Sequence, residues 1–465
     1  MKTKQSHFFM ITFIFSATLF SQDFSRDLKV IEAYEVEIDK GRENLLKQIT
    51  KLESVENPNL DLINKKKAQY ENYIFNDKML NILFAEEVGS FFNNSDNLTL
   101  QEYFASVSAD DKSLSLGFTV NSRGKNALRP LNMVYNFGVK VKAKNKFASI
   151  FENGDFNQKS DLGISFNITK VHFIAGAINF SSVKDGNNNI IFNRRALIET
   201  YRKKLYADYR GKIKEYKVKT LPKEEDSIRA IQNQMRGYKH KPDISKIYKE
   251  KGASLYQSLA EDEIKYIKEN KAYSFISSDW VSLDGFLPVT NTTYNILIND
   301  NSGNFKAETF VPWRASLSWS YFRKYSNNRS WFISPKISVQ NNNNILLEDL
   351  TAETLIVERQ IFGNGSELET TESVYKEYSE FITPSFGAEF TYFFTKNIGV
   401  SPSFEKNVGT YDEFNWKLGV PISLKDKDGK PKVNFELQWK KVNTLTESNY
   451  LVGISASFLF GNLIN

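Results

Sequence analysis

The sequence predicts a transmembrane β-barrel of about twelve antiparallel strands that also carries helical segments, an α+β protein overall. In the stretch YLVGISASFLF at residues 450–460, every second residue is apolar, as in a strand with one apolar face. The chain contains 37 Phe, 22 Tyr and 6 Trp, and aromatic residues are enriched where barrels meet the membrane interfaces. After the first 21 residues no stretch approaches the roughly 18 apolar residues of a transmembrane helix. A chain of this kind crosses a membrane only as a closed barrel.

Residues 1–21 are typical of a secretory signal peptide. Two lysines precede an apolar run at residues 8–15, and small polar residues follow it. Cleavage after Ser21 would leave Gln22 as the first residue. The chain contains no cysteine, which excludes disulfides, lipoprotein acylation, thiol catalysis and Cys-based metal sites.

Residues 22–110 are predicted to form an acidic helical segment in the periplasm. Apolar residues recur at helical spacing through residues 31–52, Pro58 ends that pattern, and a second helix is predicted from Leu62 past Ile74. The segment carries ten Lys or Arg and seventeen Asp or Glu, a net charge of −7.

Residues 111–196 are predicted to form the first strands of the barrel. The segments SLSLGFTVN, MVYNFGVKVKA and DLGISFNITK each alternate apolar and polar residues. The segment VHFIAGAINF at residues 171–180 is counted as a fourth strand.

Residues 197–272 interrupt the alternation and are predicted to be a basic helical insertion. They carry nineteen Lys or Arg and twelve Asp or Glu, a net charge of +7. Because opposite charges favour encounter, we hypothesise that this insertion docks on the acidic segment to form one helical domain beneath the barrel. The alternative is that each segment is an independent solvated arm.

Residues 273–461 are predicted to form the remaining strands, and residues 462–465 a short tail. The segment SFISSDWVSLDGFLPV and seven further alternating segments bring the count to twelve. An even number of strands with short periplasmic turns is typical of outer-membrane barrels. By parity, the acidic segment and the basic insertion are then predicted to lie in the periplasm.

The alternation also assigns the two faces of the strands. Aromatic residues near strand ends are predicted to form the girdle: Trp313, Tyr321, Trp331, Tyr392, Trp416, Trp439 and Tyr450. A charge that faces lipid at the bilayer midplane costs about 2–4 kcal/mol, so the charged residues of the opposite faces are predicted to line the lumen. They are Lys140, Lys142, Arg314, Glu389, Glu405, Lys417, Glu436 and Lys440.

The last strand carries Gly453 followed by Phe458 and Phe460. This arrangement resembles the C-terminal insertion signal of bacterial outer-membrane barrels, except that GNLIN follows the last aromatic residue. The richness in Lys and Asn and the stretch GVPISLKDKDGKPKVNFELQW resemble barrels of the Bacteroidota. The resemblance implies location in the outer membrane of a Gram-negative bacterium.

The sequence shows no arrangement typical of a catalytic site. His172 and His240 are the histidines that remain after signal cleavage, and neither lies in a nucleophile motif. We therefore expect no catalytic residue, no metal, no cofactor and no nucleic-acid partner.

The expected function is that of a non-enzymatic barrel. It would anchor a periplasmic helical domain that recruits partners of an envelope complex, and its own partners would be the lipid bilayer and proteins of the periplasm or outer membrane. The alternative is a narrow outer-membrane channel or transporter for small solutes. An outer-membrane hydrolase is the third alternative.

Overall fold

The computed structural model describes residues 43–463 with internal gaps. The gaps are residues 73–76, 92–97, 109–112, 122–131, 143–150, 153–154, 157–160, 173–177, 216–222, 224–225, 228, 231–257, 290, 299–304, 349–352, 361–366, 428, 444 and 446–447. The predicted signal peptide and tail residues 464–465 lie outside the described residues.

Twelve long strands form the barrel. They are β1 (Gln101–Ser108), β2 (Ser113–Asn121), β3 (Met133–Lys142), β4 (Asp161–His172), β5 (Phe275–Pro288), β6 (Arg314–Tyr325), β7 (Ser330–Asn343), β8 (Glu380–Phe393), β9 (Gly399–Asn407), β10 (Phe414–Lys425), β11 (Pro431–Asn443) and β12 (Ser448–Leu463).

Each barrel strand pairs antiparallel with its neighbours in the sequence, and β12 pairs with β1 to close the sheet. The closure places Phe458 of β12 opposite Ala105 of β1. The predicted fold class, a closed antiparallel barrel of about twelve strands, is confirmed.

The outer surface of the barrel is an apolar belt. In β12, Val452 is 85% exposed and Ile454 is 57% exposed, whereas Ser455 and Ser457 on the other face are buried. Every strand contributes an exposed large apolar side chain: Val107, Leu116, Val139, Ile164, Leu283, Leu317, Ile337, Phe386, Phe404, Leu418, Leu437 and Val452. A belt of this kind around a closed barrel is the surface that faces lipid.

The first strand corrects the predicted extent of the helical segment. Residues 101–108 were assigned to the acidic helical segment, but they form β1. The apolar alternation is broken there because Phe104 faces the interior, where it is buried against Leu459. Gly117 leaves the space for the Phe104 ring, since a Cβ atom at residue 117 would overlap it.

The segment VHFIAGAINF was predicted to be one barrel strand, but its described residues do not form one, and residues 173–177 lie outside the described part of the chain. Val171 and His172 are the last residues of β4, and Ile178–Asn179 is a two-residue strand that pairs with the first residues of β5. The count of twelve holds because β1 takes the place of this segment.

Short strands lie outside the barrel. Thr292–Leu297, Phe305–Phe310, Glu353–Gln360 and Glu367–Tyr375 form a four-stranded sheet. Two small hairpins pair Phe151–Glu152 with Asp155–Phe156 and Val183–Lys184 with Ile190–Phe192. The four-stranded sheet derives from the connections β5–β6 and β7–β8, so it belongs to the end of the barrel where β6 begins.

The described helices include α1 (43–53), α2 (Leu60–Asn72), α3 (Asp77–Val88), α4 (Arg194–Glu215), α5 (258–269) and α6 (Asn344–Glu348), with a 3-10 turn at Gly89–Phe91. In the described part of the chain, no helix combines the length and the apolar character needed to cross a bilayer. The chain divides into two compact units, one of residues 1–36 and 210–258 and the other of residues 37–209 and 259–465. All barrel strands belong to the second unit.

Candidate functional site

The segment just before β1 fills one end of the barrel. It consists of α3 and the 3-10 turn, and every residue from Ile82 to Phe91 is buried. The sequence ILFAEEVGSF has apolar residues on all sides of the helix, as expected for a helix that is surrounded by protein. We call residues 77–91 the plug.

Phe91 anchors the plug against three neighbouring strands. Its ring lies 5.5 Å from Phe322 of β6, 5.2 Å from Phe332 of β7 and 5.3 Å from Phe393 of β8, measured between ring centroids. Aromatic pairs in such arrangements contribute about 0.5–1.5 kcal/mol beyond the burial of their area. All three partners lie near the ends of their strands, and these strand ends are at the same end of the barrel.

The plug also contacts the other walls of the barrel. Phe84 packs edge-to-face on Trp280 of β5 at 5.4 Å. Asn434 of β11 donates a hydrogen bond of 2.7 Å from Nδ2 to the carbonyl oxygen of Gly89. A Cβ atom at Gly89 would lie 2.6 Å from Cγ of Pro431, so glycine permits this close approach. Contacts with strands on opposite walls place the plug inside the lumen.

A buried ion cluster joins the plug to the barrel and to α5. Glu87 lies 2.6 Å from Lys324 of β6, 3.4 Å from Lys268 of α5 and 3.6 Å from Lys425 of β10. Lys268 also pairs with Glu86. All of these side chains are mostly buried, and buried charges are tolerated when they are paired in this way.

The surroundings keep the plug carboxylate ionised. Burial alone would raise the pKa of Glu87, but the charges of Lys324, Lys425 and Lys268 hold it well below the ordinary value. Burial alone would lower the pKa of Lys268, but the carboxylates of Glu86 and Glu87 raise it above the ordinary value. Glu87 and Lys268 are therefore both charged at neutral pH.

Helix α5 is held in turn by α4. The rings of Tyr201 and Tyr266 are stacked with centroids 3.6 Å apart. Arg202 forms an ion pair of 2.5 Å with the fully buried carboxylate of Glu263. Helices α4 and α5 of the basic insertion thus form a pair, and that pair contacts the plug through Lys268.

One contact agrees with the hypothesis that the basic insertion docks on the acidic segment. Lys268 of the insertion pairs with Glu86 and Glu87 of the acidic segment. The acidic partner is inside the lumen, however, whereas the hypothesis placed it beneath the barrel. Most of residues 216–257 of the insertion and all of residues 22–42 lie outside the described residues.

Polar side chains fill the middle of the lumen. Asn167 of β4 donates to Asp284 of β5 at 2.5 Å and accepts a hydrogen bond of 2.6 Å from Thr169. Thr169 also shares a hydrogen bond of 2.6 Å with Ser282. These four residues are buried and tie β4 to β5 across their interior faces.

Glu436 of β11 is the most enclosed of the predicted lumen residues. Its carboxylate is fully buried, lies 3.2 Å from Nζ of Lys417 and accepts a 2.8 Å hydrogen bond from Gln438. Gly419 makes room for it, since a Cβ atom there would overlap the Glu436 carboxylate. The ion pair with Lys417 links β10 to β11.

A cavity of about 350 Å³ lies in the lumen on the far side of this polar layer from the plug. The interior-face residues that line it include Ser108, Asp284, Arg314, Ser318, Ser334, Lys336, Ser338, Ser385, Gly387, Glu389, Ser403, Glu405, Asn415, Lys417 and Lys440. The lumen is therefore filled by the plug at one end and hollow toward the other.

The structure shows where most of the predicted lumen residues lie. Those that line the cavity are Arg314, Glu389, Glu405, Lys417 and Lys440. Glu436 lies in the adjoining buried layer, and Lys140 is buried on the interior face of β3. The side chain of Lys142 lies outside the described part of the structure.

The predicted girdle residues form two exterior clusters at opposite ends of the barrel. At the end away from the plug, the Trp416 ring lies 5.2 Å from Trp439 and 6.4 Å from Tyr450. At the plug end, Tyr321 lies 5.1 Å from Trp331.

The remaining girdle and insertion-signal residues follow the same alternation. Tyr392 of β8 is opposite Trp331 in the strand register, and Trp313 is half-buried immediately before β6. In β12, Gly453 shares the face of the buried Ser455, whereas Phe458 and Phe460 are on the exposed face.

His172 belongs to an exterior polar group. Its Nδ1 lies 3.1 Å from Oδ2 of Asp279, and the indole Nε1 of Trp319 donates to the same oxygen at 3.3 Å. The third member of the group is thus an indole, which is not a nucleophile. The described residues contain no group of three or more acidic or histidine side chains that could hold a metal ion.

Sequence reasoning missed the residues that hold the plug. Trp280, Phe322, Phe332 and Phe393 are interior aromatics, although aromatic residues were expected on the lipid face. The signal that could have found them is that each occurs at the plug end of an otherwise polar interior face. For Glu87 no comparable signal exists, because its three lysine partners come from distant parts of the chain.

Comparisons with known proteins assign no family. No family model and no curated protein matches this chain. Among solved structures, the crystal structure of the beta domain of the Bordetella autotransporter Brka matches with 8% sequence identity and a TM-score of 0.24, covering 77% of this chain and 96% of that chain. At this sequence identity and TM-score the match supports no statement about this chain. The closed barrel is shown by the strand pairing of the chain itself.

Proposed function

We propose that the protein is a non-enzymatic outer-membrane β-barrel that anchors periplasmic helices, and that these helices recruit partners of an envelope complex. The observation that carries this proposal is the plug, which occupies the lumen and is joined through Lys268 to α5. Porins keep their lumen open to water. A lumen filled by the protein's own helix suits an anchor better than a general pore.

The proposed orientation puts the plug end in the periplasm of a Bacteroidota-type cell, after removal of the signal peptide. Supporting this, β1 begins and β12 ends at the plug end, where the turns 326–329, 394–398 and 426–430 are short. The opposite end carries the long connections 289–313 and 344–379. Short turns face the periplasm in outer-membrane barrels, and α4 and α5 then lie there too.

Single-channel recording of the purified protein in planar bilayers is the first test. An anchor closed by its plug should show no stable openings. Stable openings of the unmodified protein would overturn the proposal.

Partner recruitment is tested separately by gentle extraction from the native membrane and quantification of co-purifying proteins. Lys203 and Lys204 are exposed on α4, so the double variant Lys203→Glu, Lys204→Glu should lose a stoichiometric partner. Lys396→Glu, at an exposed turn at the plug end of the barrel, is the matched control and should retain it. Loss in both variants, or in neither, would contradict recruitment through α4.

A second candidate function is a narrow channel or transporter for small solutes. The charged cavity on the far side of the plug favours it, because Arg314, Glu389 and Lys417 would face a solute on its route. In this case the plug would act as a gate, and the recording would show openings.

A further inference from the structure

An outward-facing arginine lies at the plug end of β6, just beyond the aromatic girdle. Along the outer face of β6, Leu317 is 45% exposed and Trp319 is 44% exposed, and Tyr321 and Arg323 occupy the next two outward positions. Apolar side chains, then aromatic rings, then a charge is the order in which a barrel strand leaves the hydrocarbon and enters the headgroup layer. Arg323 is therefore at the depth of the lipid headgroups.

Neutral groups hold the guanidinium of Arg323 in place. Its Cζ atom lies 4.4 Å from the centroid of the Phe275 ring, and its Nε and Nη2 donate to the hydroxyl oxygen of Tyr321 at 3.1 and 2.8 Å. Tyr325 is a further hydrogen-bond partner. Rings and hydroxyl groups orient the guanidinium without neutralising its charge. Because a guanidinium carries five N–H donors, these bonds leave donors for an oxyanion.

A second arginine lies diagonally across the hairpin of β6 and β7. Arg323 is opposite Trp331 in the strand register, and the backbone N–H of Tyr325 donates to the carbonyl oxygen of Arg329 at 2.8 Å. Arg329 is exposed and precedes Trp331 by two residues, so the two share the outer face. Arg329 is thus a diagonal neighbour of Arg323, and long side chains in such positions can reach a common partner.

Positive charge is in excess at this corner of the outer face. Within the described part of the chain, no carboxylate forms an ion pair with Arg323 or Arg329. The outward carboxylate on the neighbouring strand β5 is Asp279, and it is engaged by Nδ1 of His172 at 3.1 Å and by the indole Nε1 of Trp319 at 3.3 Å. Two arginines beside one engaged carboxylate favour an anion at this place.

We propose that the outer face of the β6–β7 hairpin binds the headgroup of an anionic phospholipid in the leaflet at the plug end. Arg323 and Arg329 would bind the phosphate oxygens through charge-assisted hydrogen bonds. The rings of Tyr321 and Trp331, 5.1 Å apart, would pack against the glycerol and the first acyl carbons. The arginines would repel the amine of a zwitterionic headgroup. This binding requires that the apolar belt faces lipid, but it does not depend on the anchor function.

The test is native mass spectrometry of the folded, detergent-solubilised protein. Phosphatidylglycerol is the anionic probe, and phosphatidylcholine with the same acyl chains is the zwitterionic comparison. We expect phosphatidylglycerol to bind about tenfold more tightly than phosphatidylcholine, since each arginine near an anionic headgroup contributes a factor of about five. Arg323→Gln should therefore weaken phosphatidylglycerol binding about fivefold. The double variant Arg323→Gln, Arg329→Gln should remove the preference.

Lys396→Gln is the control, because it removes an exposed cation from another turn at the plug end and should leave the preference unchanged. Heat-dependent mobility in gels shows that each variant still forms a closed barrel. The proposal is overturned if the unmodified barrel binds the two lipids equally or binds neither. It is also overturned if the preference survives in the folded double variant, or if the Lys396 variant loses it to the same extent.

Discussion

Glu87 of the plug and Lys324 of β6 form an ion pair of 2.6 Å, with 5% and 9% of their side chains exposed. Lys268 and Lys425 complete the charge around the same carboxylate. A single acidic side chain therefore holds together the barrel wall, the plug and the helix pair of the insertion.

Glu87→Gln should destabilise the protein strongly. The change leaves buried lysines without their carboxylate, and breaking a buried ion pair from one side costs about 3–5 kcal/mol. The free energy of unfolding in urea, followed in detergent, measures the loss. Glu43→Gln is the control, because the Glu43–Lys47 pair is exposed and such pairs contribute at most about 1 kcal/mol. Similar losses in the two variants would contradict the role of Glu87.

The charges of Glu87 and Lys268 should not change across the neutral range of pH. The pKa of Glu87 in the folded state is well below its ordinary value of 4.5, so its contribution is present above that value and is lost as pH falls through the folded pKa. The pKa of Lys268 is raised above 10.5, so its contribution is present below that value and is lost as pH rises through the folded pKa. Between about pH 5 and 7, the fluorescence of Trp280 beside the plug, isolated by comparison with a Trp280→Phe variant, should stay constant. A transition within that window would contradict this account.

The barrel strands were predictable because the strand face toward the lumen is polar and the face toward the outside of the barrel is apolar. In β12, Val452 and Ile454 alternate with Gly453 and Ser455, and the alternation alone gave the face of each residue. The strand β1 was missed because Phe104 faces inward and breaks that rule. The space for Phe104 comes from Gly117 on the next strand, a compensation that no local pattern in β1 reveals.

The plug was not predictable from periodicity. The segment ILFAEEVGSF carries a helical pattern, but a pattern does not say whether a helix packs beneath a barrel or inside it. The deciding contacts are made by residues far along the chain, such as Phe322 for Phe91 and Lys324 for Glu87. The opposite net charges of the two segments did anticipate the contact of Lys268 with the acidic segment.

Phe91→Ala should loosen the plug without breaking the barrel. The change empties the space between Phe322, Phe332 and Phe393, and large-to-small core changes of this kind cost about 3–5 kcal/mol. We expect a lower urea midpoint and the appearance of openings in planar bilayers. Phe404→Ala is the control, because Phe404 lies on the outer face of β9 and is 42% exposed. Its loss of stability should be smaller, and its recordings should remain silent. Openings in the control, or their absence in Phe91→Ala together with unchanged stability, would argue against a closing role of the plug.

Ile454→Arg tests whether the apolar belt faces lipid. Ile454 lies in the middle of β12 on its exposed face, and an arginine near the bilayer midplane costs about 2–4 kcal/mol in a membrane barrel. On a surface that faces water, a substitution away from special features changes stability by at most about 0.5 kcal/mol. Folding into phospholipid vesicles, followed by urea unfolding, measures the difference. Asn187→Arg, at an exposed turn, is the control and should be neutral. If Ile454→Arg folds with unchanged stability, the belt does not lie against lipid, and the assignment of inner and outer faces fails with it.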